Sequence, residues 1–328
     1  MDEAVHPPLD LPGLSQIQAA RRRIAAHIHT TPLFSCRSFG ERHGAEVHLK
    51  AENLQRTGSF KIRGALNALL TARETGRIAG EGVITYSSGN HGQAVALAAR
   101  ILGVRAIVVV PRDIARVKQD AIVGYGAQVV PCGTTSEDRR EEAERLAKES
   151  GATIIPPYDH PDIIAGQGTI ALEVLEALPG ADVIIVPVGG GGLISGVAIG
   201  TKSLRPEALV FGAEPATSND MALSLAAGKR VRIDPSRTIA DGLRAITPGV
   251  LTFEAAQRHL SGVLCVEEAQ IRDAQRSILE RAKLLVEPSG AVGVAAYLAH
   301  GERFAGKKVV AVLSGGNADL PPLEFDAR

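Results

Sequence analysis

Val183-Ile184-Ile185-Val186-Pro187-Val188-Gly189-Gly190-Gly191-Gly192-Leu193 is the stretch from which the fold can be read. An unbroken apolar run reads as a strand buried on both faces, and such strands belong to parallel sheets covered by helices. The glycines make a turn, and residues 193–203 have the pattern of a helix. The same alternation runs outward in both directions. Upstream, strands are expected at 46–50, 82–86, 105–110, 128–130 and 153–155. Helices are expected at 61–75, 92–102, 116–124, 136–149 and 167–178. Downstream, strands follow at 209–214 and 308–313. Ser15 with Gln18 has capping-box spacing, and Ile17, Ile24 and Ile28 recur at a helical period, so a helix over about 15–28 is predicted. Strands alternating with helices give an α/β fold, with two open, mostly parallel sheets flanked by helices. Pro156, Pro157 and Pro161 mark the main boundary, and Gly76, Gly80 and Gly82 mark a second. The expected division is a large unit of 1–78 with 158–328, and a small unit of 79–157.

Composition narrows the function. The chain has 328 residues, with Lys+Arg and Asp+Glu both 36, so it lacks the basic surplus that nucleic-acid backbones require. Aromatic residues are 3% and Trp is absent, which argues against base stacking. Cys36, Cys132 and Cys265 cannot make a disulfide framework and have no C-x-x-C spacing, which suits reduced thiols in a cytoplasmic setting. The acidic, proline-broken start is no signal peptide, and no apolar run is long enough for a membrane span.

Four segments hold candidate chemistry. Lys61, in Ser59-Phe60-Lys61-Ile62-Arg63-Gly64-Ala65, opens a helix among small and apolar residues, where an amine disfavoured as an ammonium becomes a nucleophile. Alone, a lysine there is more often a surface charge. Ser87-Ser88-Gly89-Asn90-His91-Gly92 joins a strand to a helix, so its amides and hydroxyls could bind a carboxylate, or simply cap the helix. Gly189 to Gly192 free successive N–H groups to converge on a phosphate, the alternative being a tight packing turn. Neither G-x-G-x-x-G nor a P-loop is present there. Ser314-Gly315-Gly316-Asn317 follows the last strand, and Ser314 could meet a ring nitrogen. Separately, Glu214 to Asp220 offers carboxylates and loop carbonyls to a hard cation, or is an ordinary polar loop. No zinc-hydrolase or G-x-S-x-G pattern occurs.

An amine, a carboxylate pocket, a phosphate cradle and a ring-nitrogen partner together point to pyridoxal phosphate. In these four segments, and in their order from about residue 14 to 320, the chain resembles the serine/threonine dehydratase and serine racemase family. Its fold is the type II pyridoxal-phosphate fold, similar to the tryptophan synthase β subunit. The resemblance implies that Lys61 holds the cofactor as a Schiff base. It implies further that Phe60 packs on the ring, Asn90 meets the ring hydroxyl and Ser314 the pyridine nitrogen. Gly189, Gly190, Gly191, Gly192 and Leu193 would bind phosphate, with Gly242 and Glu287 lining the pocket. Ser87, Ser88, Gly89, Asn90 and His91 would receive the substrate, Ser88 also as the proton carrier on the face opposite Lys61. Glu214, Ser218 through its carbonyl, and Asp220 match the family's divalent-cation site, which takes Mg2+ or a similar ion.

The implied reaction is β-elimination of water from L-threonine or L-serine, giving a 2-keto acid and ammonia. A serine at the ring nitrogen makes the ring a weaker electron sink than an aspartate would, which favours rapid loss of the β-hydroxyl. The Arg56-Thr57-Gly58-Ser59 lead-in resembles the short catabolic type, and no room for a C-terminal regulatory domain is expected. The alternatives are serine racemase, a dehydratase of another β-hydroxy amino acid such as 3-hydroxyaspartate, and a catalytically silent binding protein. A homodimer acting on a small amino acid, without nucleic-acid or membrane partners, is the expected assembly. The small unit is expected to close over the substrate carboxylate.

Overall fold

The computed structural model describes residues 10–78, 82–87, 89–114, 116–133 and 135–318. Its strands are β1 (Leu33–Ser35), β2 (Glu46–Ala51), β3 (Val83–Tyr86), β4 (Ala106–Val110), β5 (Gln128–Pro131), β6 (Thr153–Ile154), β7 (Val183–Pro187), β8 (Leu209–Pro215), β9 (Gly262–Val266) and β10 (Lys308–Leu313). They form a six-stranded sheet ordered β1-β2-β10-β7-β8-β9 and a four-stranded sheet ordered β5-β4-β3-β6. All pairings are parallel except β1 with β2. The fold is therefore α/β with two open, mostly parallel sheets flanked by helices.

The order of the strands places the motifs. From β7 the chain steps outward to β8 and β9, then returns to put β10 on the other side of β7. From β3 it steps to β4 and β5, then returns to put β6 on the other side of β3. Each reversal is a switch point, where loops beyond the carboxyl ends of strands part and leave a crevice. The glycine loop after β7 and Ser314 after β10 flank one switch point. Ser87 and Gly89, after β3, sit at the other.

Val183, Ile184, Ile185 and Val186 of β7 are all fully buried, as their unbroken apolar run requires. The helices Pro161–Ala177, Gly192–Leu204 and Pro288–His300 supply the covering layers. Some of the glycines serve helix crossing rather than loops. A Cβ on Gly166 would stand 2.5 Å from the Arg63 carbonyl and 2.6 Å from Gly64 Cα, so only hydrogen lets this helix meet the one that starts at Lys61.

Two local expectations are corrected. The first helix runs Leu14–Ile24 and is capped at Gly13, whose N–H donates to the Gln16 side chain at 3.1 Å, so Ser15 lies inside the helix. Pro161 does not lie in a linker but starts the next helix, six residues before the expected start. Proline suits a first turn, which needs no N–H donor, and His160 accepts from Asp162 N. No helix among the described residues is long and apolar enough to cross a membrane.

Candidate active site

Lys61 is the first residue of the helix Lys61–Glu74. Its approach loop is unusual, because Thr57 and Gly58 have φ of +64° and +67°. A non-glycine residue in that region is strained and must be held. The end of β10 holds it: Phe60 N donates to the Ser314 carbonyl at 3.1 Å and Gly316 N to the Gly58 carbonyl at 2.8 Å. Asn317 Nδ2 donates to the Thr57 carbonyl at 2.7 Å. Two motifs separated by some 250 residues of sequence are thus locked into one wall.

The Lys61 amine donates to the Pro157 carbonyl at 2.9 Å and lies 5.2 Å from the centre of the Phe60 ring. Burial lowers the ammonium from its ordinary 10.5 to about 8, against the opposing pull of the Glu287 charge. This is the partly neutral amine that a carbonyl-binding nucleophile needs.

The second wall begins after β3. Gly89 N donates to Ser87 Oγ at 2.9 Å, and the helix Asn90–Leu102 starts at once. Asn90 Nδ2 donates to Glu287 Oε1 at 2.5 Å, and Asn90 Oδ1 accepts from Asn317 Nδ2 at 3.0 Å. His91 is buried and lies 3.2 Å through Nε2 from the Ile155 carbonyl, so that nitrogen carries its proton. Burial first, then the nearby Lys61 charge, lowers it to about 3, leaving a neutral ring whose Nδ1 has no partner among the described residues. Ser88 lies outside the described residues.

The glycine loop forms the floor. Gly191 has φ +94°, and a Cβ there would press on Thr252 Cβ at 2.7 Å. A Cβ on Gly189 would stand 3.0 Å from the Gly242 carbonyl, and one on Gly192 3.0 Å from Tyr158 Cα. The Gly190 carbonyl accepts from Thr252 Oγ1 and the Gly191 carbonyl from Ser195 Oγ, both at 2.8 Å. Gly192 and Leu193 open the helix Gly192–Leu204, where the first N–H groups have no intrahelical carbonyl to bond. Gly242 N donates to Ser289 Oγ at 2.9 Å, and Ser314 Oγ reaches the Ser289 carbonyl at a long 3.4 Å.

These groups fit pyridoxal phosphate. The cradle has no room for side chains, the amine is half desolvated, and the Ser314 hydroxyl has only a weak bond to give up. A groove of about 770 Å³, lined among others by Gln18, Arg21, Glu176 and Arg205, holds none of them.

Glu214 and Asp220 lie behind the glycine loop and are fully buried. Glu214 accepts from Met221 N at 3.1 Å and Ala222 N at 2.9 Å, whereas among the described residues neither Asp220 oxygen has a hydrogen-bond partner from another residue. Burial, and secondarily the Asp220 charge, raises Glu214 well above the usual carboxylate range, and burial raises Asp220 to about 7. Ser218 Oγ donates to the Leu243 carbonyl at 2.8 Å. Among the described residues, no three His, Cys, Asp or Glu side chains gather as a metal cluster. The structure thus offers two buried carboxylates here and no third such side chain among the described residues.

Sequence reasoning missed Thr252, Tyr158, Ser289 and Lys118. Lys118 reads as one more charge on an amphipathic helix. Only the fold shows it buried, with its ammonium 2.6 Å from Asp241 and 3.3 Å from Glu287.

Residues 24–315 match the family described as pyridoxal-phosphate dependent enzyme. The chain is 41% identical over 310 residues to the L-threo-3-hydroxyaspartate ammonia-lyase of Saccharomyces cerevisiae, with 94% of each covered. It is 43% identical over 307 residues to the L-threonine ammonia-lyase of Thermotoga maritima, covering 94% of this chain and 76% of the relative. The structure of maize serine racemase superposes with a TM-score of 0.91 at 39% identity, with 95% of each chain covered.

Proposed function

The chain belongs to the pyridoxal-phosphate dependent enzyme family, and from that membership we propose that it is an ammonia-lyase for β-hydroxy amino acids. L-Threonine and L-serine are the substrates, and a 2-keto acid and ammonia the products. The observation that carries this reading is the Lys61 amine, lowered to about 8 and set between the glycine loop and the loop after β3.

In this reading Lys61 would hold the cofactor, and the amides of Gly189 to Leu193 would hold its phosphate. Ser314 would meet the ring nitrogen, Asn90 the ring hydroxyl, and Phe60 would pack on the ring, with Gly242 and Glu287 lining the pocket. Bound there, pyridoxal phosphate supplies an aldehyde for amines and a ring that takes up the charge left when an α-proton departs. The N–H groups at the start of the helix Asn90–Leu102, with Ser87, orient the substrate carboxylate. Lys61 Nζ is the base that would take the α-proton. An amine near 8 does this at neutral pH far better than one at 10.5. His91 is too strongly held neutral to act as the base and instead braces the loop against Ile155. Glu214, Asp220 and the Ser218 carbonyl would hold a divalent cation such as Mg2+, which would relieve two buried carboxylates. Residues 79–157 form the unit that closes over the substrate, on a frame of 1–78 and 158–328, in a homodimer.

Two further readings share these groups. The similarity to a hydroxyaspartate ammonia-lyase supports a substrate with a second carboxylate. The similarity to serine racemases supports return of the α-proton from the opposite face, the place that resemblance gives to Ser88. One panel separates them: L-threonine, L-serine, D-serine and threo-3-hydroxyaspartate, with keto acid and chirality measured together. Keto acid from threonine and serine is expected. Keto acid from hydroxyaspartate alone, or inversion without keto acid, would replace the first reading. Borohydride reduction and peptide mapping should find the pyridoxyl group on Lys61, and Lys61→Ala should abolish it.

A further inference from the structure

Lys118 belongs to the helix Arg116–Gly124, which flanks the four-stranded sheet. Its carboxylate partners belong elsewhere: Asp241 lies in the turn Asp241–Leu243, and Glu287 caps the helix Pro288–His300 on the six-stranded sheet. The lysine side chain is 4% exposed, that of Glu287 2% and that of Asp241 30%, so most of this contact is shielded from water. The lysine stem lies flat on the loop after β3, since any Cβ on Gly89 would collide with Lys118 Cδ. Glu287 also takes the Asn90 amide at 2.5 Å, and Asp241 adjoins Gly242, whose N–H is held by Ser289. The ammonium therefore ties the floor of one crevice to the wall of the other.

We infer that Lys118 is a positioning residue: its stem and ammonium clasp the Gly89–Asn90 loop to Asp241 and Glu287, and so fix the substrate-facing loop over the cofactor groups. The clasp goes beyond the reaction proposed above, and rests on that reading only for its kinetic readout. The arrangement is specific. The ammonium is the charged partner of both carboxylates, whose other donors are neutral: Asn90 on Glu287, and Ser289 Oγ on Asp241 at a long 3.4 Å. A second bridge across the crevice, Arg232 to Glu137, has side chains 59% and 44% exposed and is a weak surface pair. It serves as the control.

The test compares Lys118→Met, Lys118→Arg, Asp241→Asn and Arg232→Ala in the cofactor-loaded protein by hydrogen–deuterium exchange and steady-state kinetics. Lys118→Met should raise exchange in residues 89–92 and 116–124 while β7 and β10 keep theirs. It should raise KM by about tenfold or more, with a smaller loss of kcat, because a buried charge pair has lost one member. Lys118→Arg should restore part of both, Asp241→Asn should give the same pattern more weakly, and Arg232→Ala should change neither. Unchanged exchange in 89–92 with an unchanged KM would overturn the clasp. So would exchange rising uniformly through both sheets, which marks loss of stability alone. A missing pyridoxyl adduct on Lys61 in the parent protein would refute the function reading, and the exchange comparison would still decide the clasp.

Discussion

Replacing Arg63 with Met should destabilise the protein severely without touching the crevice. Arg63 has no exposed surface. Its guanidinium donates to both Glu52 oxygens at 2.8 Å, and to Glu173 at 2.6 and 2.9 Å. Lys50 adds a bond of 2.5 Å to Glu173 and one of 2.7 Å to the Thr31 carbonyl. The four charges cancel, and they join β2, the Lys61 helix and the helix Pro161–Ala177. Methionine fills similar volume but leaves two buried carboxylates facing one ammonium. Removing one member of a buried ion pair costs about 3–5 kcal/mol. With a stability on the order of 5–15 kcal/mol, that is a large fraction of the whole. At roughly 2 °C per kcal/mol for a chain of this size, Tm should fall by roughly 6–10 °C. Thermal unfolding of the loaded protein, followed by circular dichroism and calorimetry, measures it. The double variant Arg63→Met/Glu52→Gln removes the excess charge and leaves Lys50 with Glu173, so it should recover more than half of the loss. A single variant that melts within about 1 °C of the parent would show that local relaxation or water neutralises the cluster, and the reasoning would fail. Acid should act on the same cluster. Burial pushes Glu173 up, but Arg63 and Lys50 outweigh it and leave the carboxyl below its ordinary value. Its stabilisation is then complete above the unfolded value and drains away as pH falls through the folded one.

Two further outcomes are expected. Cofactor loading of the stripped protein should quicken as pH rises through about 8, the Lys61 value, rather than 10.5, because the neutral amine attacks the aldehyde; absorbance after rapid mixing reads this, and an inflection above 10 would count against a desolvated amine. Adding Mg2+ to chelator-treated protein should raise Tm, and Asp220→Asn should remove the response; equal melting with and without the ion would dismiss Glu214 and Asp220 as its ligands.

Most of the scaffold was legible because its strands are unbroken runs of Val and Ile, a signal that survives without neighbours. The exceptions have physical causes. β9 escaped notice because it starts at Gly262, lies at the sheet edge and is only partly buried. β1 has three residues and an exposed Phe34, too short for any period to show. Pro161 looked like a break because proline opens helices as readily as it ends them. At the site, loops following apolar strands could be recognised one at a time, and their spacing in sequence gave no distance between them. That Ser314 would hold Phe60 in place, or that Asn317 would reach both Thr57 and Asn90, follows from the switch points alone. Lys118 was invisible for the opposite reason: its neighbours Arg116, Gln119 and Asp120 are those of a solvated helix, and its burial is created by Gly89, a glycine nearly thirty residues earlier.

The four-stranded sheet has one more property. β3 to β6 are consecutive in the chain, and the stretch that carries them begins and ends at points in contact. Thr153 Oγ1 donates to the Arg77 carbonyl at 2.7 Å, and Thr153 N to the Gly82 carbonyl at 3.1 Å. Such an insert is a cassette with its ends pinned together. Swapping it between relatives would exchange the loop after β3, with Asn90 and Lys118, in a single crossover pair, while Lys61, the glycine loop and Ser314 stay with the host.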